Sequence, residues 1–145
     1  MKQRTRARVV ALQVLFELDL TNHLLGEVLD ERSEEMNLDE TQYEFARQLS
    51  TGVRENAAKL DGLISEHAPE WPLDQVAVVD RNILRLALWE VAFYQKTPLK
   101  VAINEAVELA KMFGTDSSPR FINGVLGSLA ETMDYIIQII RDTEE

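Results

Sequence analysis

Apolar residues recur at helical spacing along almost the whole chain. On a wheel with Val101 at zero, at about 100° per residue, Ala102, Ile103, Ala106, Val107, Leu109, Ala110 and Phe113 share one broad arc, whereas Lys100, Asn104, Glu108 and Lys111 fill the other. One face packs and one is solvated. Pro98 precedes this run and Gly114 ends it, which predicts firm boundaries, because proline suits a helix start and glycine accepts the left-handed conformation at a helix end. Ser117 and Ser118 then offer hydroxyls to cap a further helix whose first turn holds Pro119, Arg120 and Phe121. A cation and an aromatic ring beside a helix N-terminus form a corner suited to a phosphate and a base.

Upstream, the run Leu24 to Met36 follows the turn-like Thr21 and Asn22 and predicts a second amphipathic helix, with Asp39 placed to cap a third. From Glu40 to His67 the spacing of Tyr43, Phe45, Ala46, Leu49, Val53, Ala57, Leu60, Leu63 and Ile64 stays helical, with a break or bend expected near Gly52 or Asn56. Pro69 and Pro72 around Trp71 end that run, and residues 68–73 read as a hinge between two helical subdomains. The next helix, from about Asp80 to Tyr94, carries Ile83, Leu84, Leu86, Ala87, Leu88, Val91 and Phe93 on several sides and is expected to be central and buried. Period-two alternation is absent. The prediction is an all-α fold, a bundle of about six or seven helices in two packed subdomains, within one domain over residues 1–145. A hydrophobic content of 46% is enough for its core.

Two carboxylates stand out in the central helix. Glu90 falls on an otherwise apolar side and needs a partner, for which Arg85 is the nearest candidate in the sequence. Asp80, at the helix start, has two compatible readings: a cap, or a side chain that projects to a partner.

Net charge changes the picture. At −10 it argues against nonspecific nucleic-acid binding, but it is unevenly spread. Lys2, Arg4, Arg6 and Arg8 precede the first acid, and the rest of the chain carries eleven basic and twenty-five acidic residues, or −14. On a helical wheel with Arg4 at zero, Lys2, Arg6, Gln13 and Glu17 form a narrow polar stripe bordered by Val9, Phe16 and Leu20. The stripe has two readings: a frayed, solvated arm, or a basic seam in which cations neutralise phosphates, Gln13 bonds base edges and Phe16 stacks a base. Phe16 itself is either a core residue or a platform.

The chain has no cysteine, so disulfides and thiolate metal sites are excluded, and the composition suits a reducing cytoplasm. His23 and His67 lie far apart and belong to no ligand motif, so no metal or cofactor is expected. Gln13, Glu17 and Asp19 interrupt the first apolar run, which therefore does not read as a signal peptide, and no segment reaches membrane-spanning length.

The words VAINEAVELAK, FG and F-x-N-G-V-L, from Val101 to Leu126, closely resemble the NusB family of transcription antitermination factors. The likeness extends to ILRLALWEV at Ile83 to Val91, LDGL at Leu60 to Leu63 and RARxxALQxLF at Arg6 to Phe16. It implies a factor that binds boxA-type single-stranded RNA together with the small ribosomal subunit protein NusE and supports reading of rRNA operons by RNA polymerase. It also implies an RNA groove made of Lys2, Arg4, Arg6, Arg8, Gln13 and Phe16 with Arg120 and Phe121, and places Asp80 on the NusE-facing surface. Two departures stand out. Phe16 takes a position where tyrosine is common, and Pro119 replaces a polar residue and removes a backbone donor at the phosphate corner. Phe121 is open to a second reading as a core anchor. A related helical domain precedes certain rRNA cytosine methyltransferases, but the sequence holds no motif for their cofactor and no room for their catalytic domain.

An enzyme is not expected. Glu105 and Glu108 could form an acid and base pair, but Asn104, Glu108 and Lys111 have the spacing of a solvated face, and no serine elbow, phosphate-cradling glycine loop or metal cluster is present. The remaining alternative is a protein-only adaptor or a homodimer whose apolar contact masks the basic seam.

Overall fold

The computed structural model describes residues 1–144, which form α1 (Gln3–Leu20), α2 (Leu25–Glu35), α3 (Glu40–Glu55), α4 (Ala57–His67), α5 (Val78–Trp89), α6 (Leu99–Phe113), α7 (Ser118–Ala130) and α8 (Met133–Glu144). No strand occurs among the described residues. The all-α expectation therefore holds, with eight helices in place of six or seven. The long run splits at Asn56 into α3 and α4, and residues 131 and 132 form a turn that separates α7 from α8.

Two compact units divide the chain, Met1–Glu55 and Asn56–Glu145. The boundary is the predicted break at Asn56, not the expected hinge at residues 68–73. That segment is instead packed into the second unit. Trp71 meets Phe121 edge-on at 5.4 Å, and the Ser128 hydroxyl donates to Glu70 at 2.7 Å.

In the first unit α1 lies against α2 and α3. Ala7, Val10, Ala11, Val14, Leu15 and Leu18 of α1 are buried with Val28 and Leu29 of α2 and Phe45, Leu49 and Val53 of α3. Each such leucine contributes about 1.5–3 kcal/mol by leaving water. Asn37, at φ 55°, turns the chain from α2 toward α3 in the left-handed region that asparagine tolerates. Asp39 caps α3 as predicted: its Oδ1 accepts the Gln42 N–H at 2.8 Å, and Gln42 Oε1 accepts the Asp39 N–H at 2.9 Å. This reciprocal pair satisfies two otherwise orphaned donors.

In the second unit α5 is central, touching α4, α6 and α7. Ile83, Leu84 and Leu88 are fully buried there, as are Leu60 and Ile64 of α4, Leu109 of α6, Ile122 and Leu129 of α7 and Ile136 of α8. After Trp89 the helix widens into a π-helical turn, Glu90–Tyr94, closed by the Gln95 N–H bonded to the Glu90 carbonyl at 3.1 Å. Gln95 then adopts φ 62° and ends the element. A wheel drawn at about 100° per residue assumes α geometry throughout and so does not reveal this five-residue turn. On α6 the predicted arc is mostly correct, but Phe113 is exposed, and Lys111 pairs with Glu108 at 3.2 Å on the wet face.

Gly114 differs from expectation. Its φ of −90° and ψ of −167° are extended, so left-handed freedom is not the reason for glycine. A Cβ here would collide with the Ser118 side chain and approach the Ala110 carbonyl to 2.9 Å. Glycine is needed for space.

Candidate nucleic-acid interface

The basic arm is a regular helix from Gln3 onward, not a frayed terminus. Its four cations have different surroundings. Lys2 and Arg4 are exposed, Arg6 is half-buried and Arg8 is only 5% exposed. Arg6 donates from Nη2 to the Met36 carbonyl at the end of α2. Arg4 and Arg8 both lie near the Phe45 ring, with Cζ 4.2 Å and 5.3 Å from its centroid. Gln42 donates from Nε2 to the Gln3 carbonyl at 3.1 Å. The first turn of α1 is thus held by α3 and by the end of α2, and its outward charge comes chiefly from Lys2 and Arg4.

Farther along the same helix Gln13 is half-exposed, and Phe16 is 39% exposed. Phe16 is therefore reachable as a platform rather than sealed in the core. Leu20, also on the border of the stripe, is exposed, whereas Val9 is buried. Glu17 ends the stripe with opposite charge. His23 Nδ1 and Arg32 Nη2 contact its carboxylate at 2.8 Å and 2.7 Å, and these bonds, His23 first, hold its pKa below the ordinary 4.5.

The second set of predicted residues lies in the second unit. Arg120 is exposed in the first turn of α7, and Phe121 is half-buried against Trp71. Both readings of Phe121 therefore apply in part: one edge is anchored and the rest is open. Ser117 and Ser118 do not cap α7 with their side chains. Ser118 Oγ accepts the Thr115 N–H at 2.9 Å and donates to Asp80 Oδ2 at 3.1 Å. The Ser118 N–H is bonded to the Thr115 carbonyl, and Pro119 has no N–H, so the phosphate corner relies on the Arg120 side chain more than on backbone donors.

Asp80 is correspondingly not the side-chain cap of α5, which has none. It sits in the first turn, 9% exposed, and ties α5 to α7 through Ser118, while its Oδ1 has no hydrogen-bond partner. Its negative charge suits the helix N-terminus. Arg85 is bonded to Asp61 of α4 through Nε at 2.7 Å and Nη2 at 2.6 Å, a partner that the sequence reading of Glu90 did not supply. Glu90 itself is buried in the π-turn. The reading of the sequence also missed Phe45, Gln42 and Trp71, which support the candidate contacts without facing a ligand. The spacing Asp39-x-x-Gln42 was the one available signal for Gln42.

No group of three or more metal-ligating side chains occurs among the described residues, and no helix among them is long and apolar enough to cross a membrane.

Residues 5–131 match the NusB family. The transcription antitermination protein NusB of Roseiflexus castenholzii is 52% identical over 128 residues, covering 87% of this chain and 90% of the relative. A T. maritima NusB structure superposes with TM-score 0.80 at 38% identity, over 88% of this chain and 90% of that one. A crystal structure of the antitermination factors NusB and NusE in complex with dsRNA gives TM-score 0.81 at 29% identity, over 91% and 98%. Sequence, architecture and the quoted motifs agree, and the chain belongs to the NusB family of transcription antitermination proteins.

Proposed function

We propose that the protein binds boxA-type single-stranded RNA together with NusE, and that this complex joins the RNA polymerase antitermination assembly on rRNA operons in the cytoplasm. Lys2, Arg4 and Arg6, with Gln13 and Phe16, supply one set of RNA contacts, and Arg120 and Phe121 supply the other. Both units serve one RNA-binding domain. Asp80 acts through the α5–α7 junction near the NusE-facing surface, and Arg8 acts from beneath the arm. The observation that carries the reading is the ordered first turn of α1, which fixes exposed cations on an otherwise acidic chain. It is supported by a structural relative described in complex with NusE and dsRNA.

The test is a salt titration of binding to boxA-containing single-stranded RNA, a scrambled strand and a duplex of the same sequence, each with and without NusE. Selective binding to the boxA strand that NusE strengthens is the expected result. Equal, weak binding to all three RNAs in every condition would overturn the reading and favour a protein-only adaptor.

A further inference from the structure

We propose that Phe45 is a positioning residue that holds the guanidinium plane of Arg4 as a stacking platform for an unpaired RNA base. The inference deepens the RNA-binding reading of the α1 arm and rests on it.

An arginine in the first turn of a helix ordinarily has no fixed plane, since its long side chain rotates freely in water. Here Arg4 Cζ lies 4.2 Å from the Phe45 ring centroid, a separation at which cation and ring are in van der Waals contact. Phe45 is 5% exposed within α3, so the ring is the fixed member and the arginine the ordered one. The backbone beneath Arg4 is fixed as well. Gln42, one turn earlier on α3, donates to the Gln3 carbonyl at 3.1 Å, and its other amide atom is held at 2.9 Å by the Asp39 N–H. Two side chains of one helix therefore set both the path and the side-chain orientation of the arm.

Arg4 remains an exposed residue despite this contact. It offers solvent a planar cation whose position against the ring is set. A lysine would neutralise a phosphate equally well but has no plane. Nucleobases held out of a stack pack on guanidinium planes as they do on aromatic rings, and a preset platform spares the ordering cost at binding. Arg8, 5.3 Å from the same ring and buried, is part of the support.

The test uses the intact chain with NusE and boxA-containing single-stranded RNA, in which 2-aminopurine replaces one adenine at a time. Arg4→Lys should bind about tenfold more weakly, keep the wild-type salt slope and lose fluorescence quenching at one position. Phe45→Leu should reproduce that pattern at the same position, and Phe45→Tyr should restore it. Leu49→Ala, which empties a buried site on the same helix, should lower the thermal midpoint without moving the quench. Wild-type affinity and quenching in Arg4→Lys would overturn the proposal, leaving Arg4 as a charge alone. So would a Phe45→Leu defect no different from that of Leu49→Ala. If Arg4→Ala leaves both affinity and salt slope unchanged, the arm itself is not an RNA site, and that result strikes the underlying reading.

Discussion

Asp61 and Arg85 meet through a two-point bond, Nε to Oδ1 at 2.7 Å and Nη2 to Oδ2 at 2.6 Å, that joins α4 to α5 inside the second unit. Arg85 keeps only 10% of its side chain in solvent, whereas Asp61 keeps 32%. Removing the carboxylate would leave a desolvated cation with its Asn82 Oδ1 bond at 3.2 Å but without this charged partner. Asp61→Asn should cost about 2–3 kcal/mol in chemical denaturation, below the range for fully buried pairs because Asp61 is partly wet. A loss under about 0.5 kcal/mol would mean that solvent already screens the pair.

Ser118 has two tasks, accepting the Thr115 N–H and donating to Asp80. Ser118→Ala should destabilise by roughly 1–3 kcal/mol, since both partners lose their bond at once. NusE affinity should fall with it if Asp80 acts at the partner surface through this junction. Unchanged affinity beside a lowered thermal midpoint would make Asp80 a purely internal tie.

Gly114→Ala should destabilise by about 1–3 kcal/mol, the range for forced overpacking. The new methyl collides with both Oγ and Cβ of Ser118, and Ser118→Ala removes only the Oγ part of that clash, so the two effects should be non-additive in part. A double-mutant cycle read by thermal denaturation checks this, and simple additivity would count against the steric account.

The arm should divide by burial. Lys2→Ala should flatten the salt dependence of RNA binding and leave the thermal midpoint in place, whereas Arg4→Ala should flatten it and lower the midpoint slightly by losing the Phe45 contact. Arg8→Ala should do the reverse, costing roughly 1–3 kcal/mol of stability with little change in salt slope. A lowered slope in Arg8→Ala at unchanged stability would return Arg8 to the RNA-facing set.

Glu17 gives a pH prediction. Its folded pKa is depressed by His23 and Arg32, so the stabilisation it contributes is present above its ordinary value near 4.5 and is lost as pH falls through the folded value. Glu17→Gln should therefore lie below wild type in thermal midpoint at about pH 6, and the gap should close on acidification below 4.5. Parallel curves down to about pH 3 would remove Glu17 from the acid response.

What the sequence shows depends on how local the cause is. The helical runs of α3 and α6 and the Asp39 cap are legible because spacing and capping are properties of neighbouring residues. The two sets of candidate RNA contacts are legible through motif resemblance, and Arg120 and Phe121 also through their place at a helix start. The burial of Arg8 and the Asp80–Ser118 tie depend on long-range packing, which no wheel encodes. Gly114 shows the same limit: its identity is determined by the neighbouring Ser118, whereas its place after a helix suggested backbone freedom.

The π-turn at Glu90–Tyr94 has a consequence for how this segment tolerates changes in length. A π-helical turn accommodates one residue more than the α-helical path it replaces. Deleting a single residue there would let α5 close with ordinary α bonds, while one further insertion would have no turn left to absorb it. A deletion absorbed in this way leaves Pro98 and the start of α6 in place, whereas a further insertion rotates the downstream chain by about 100° and redirects them.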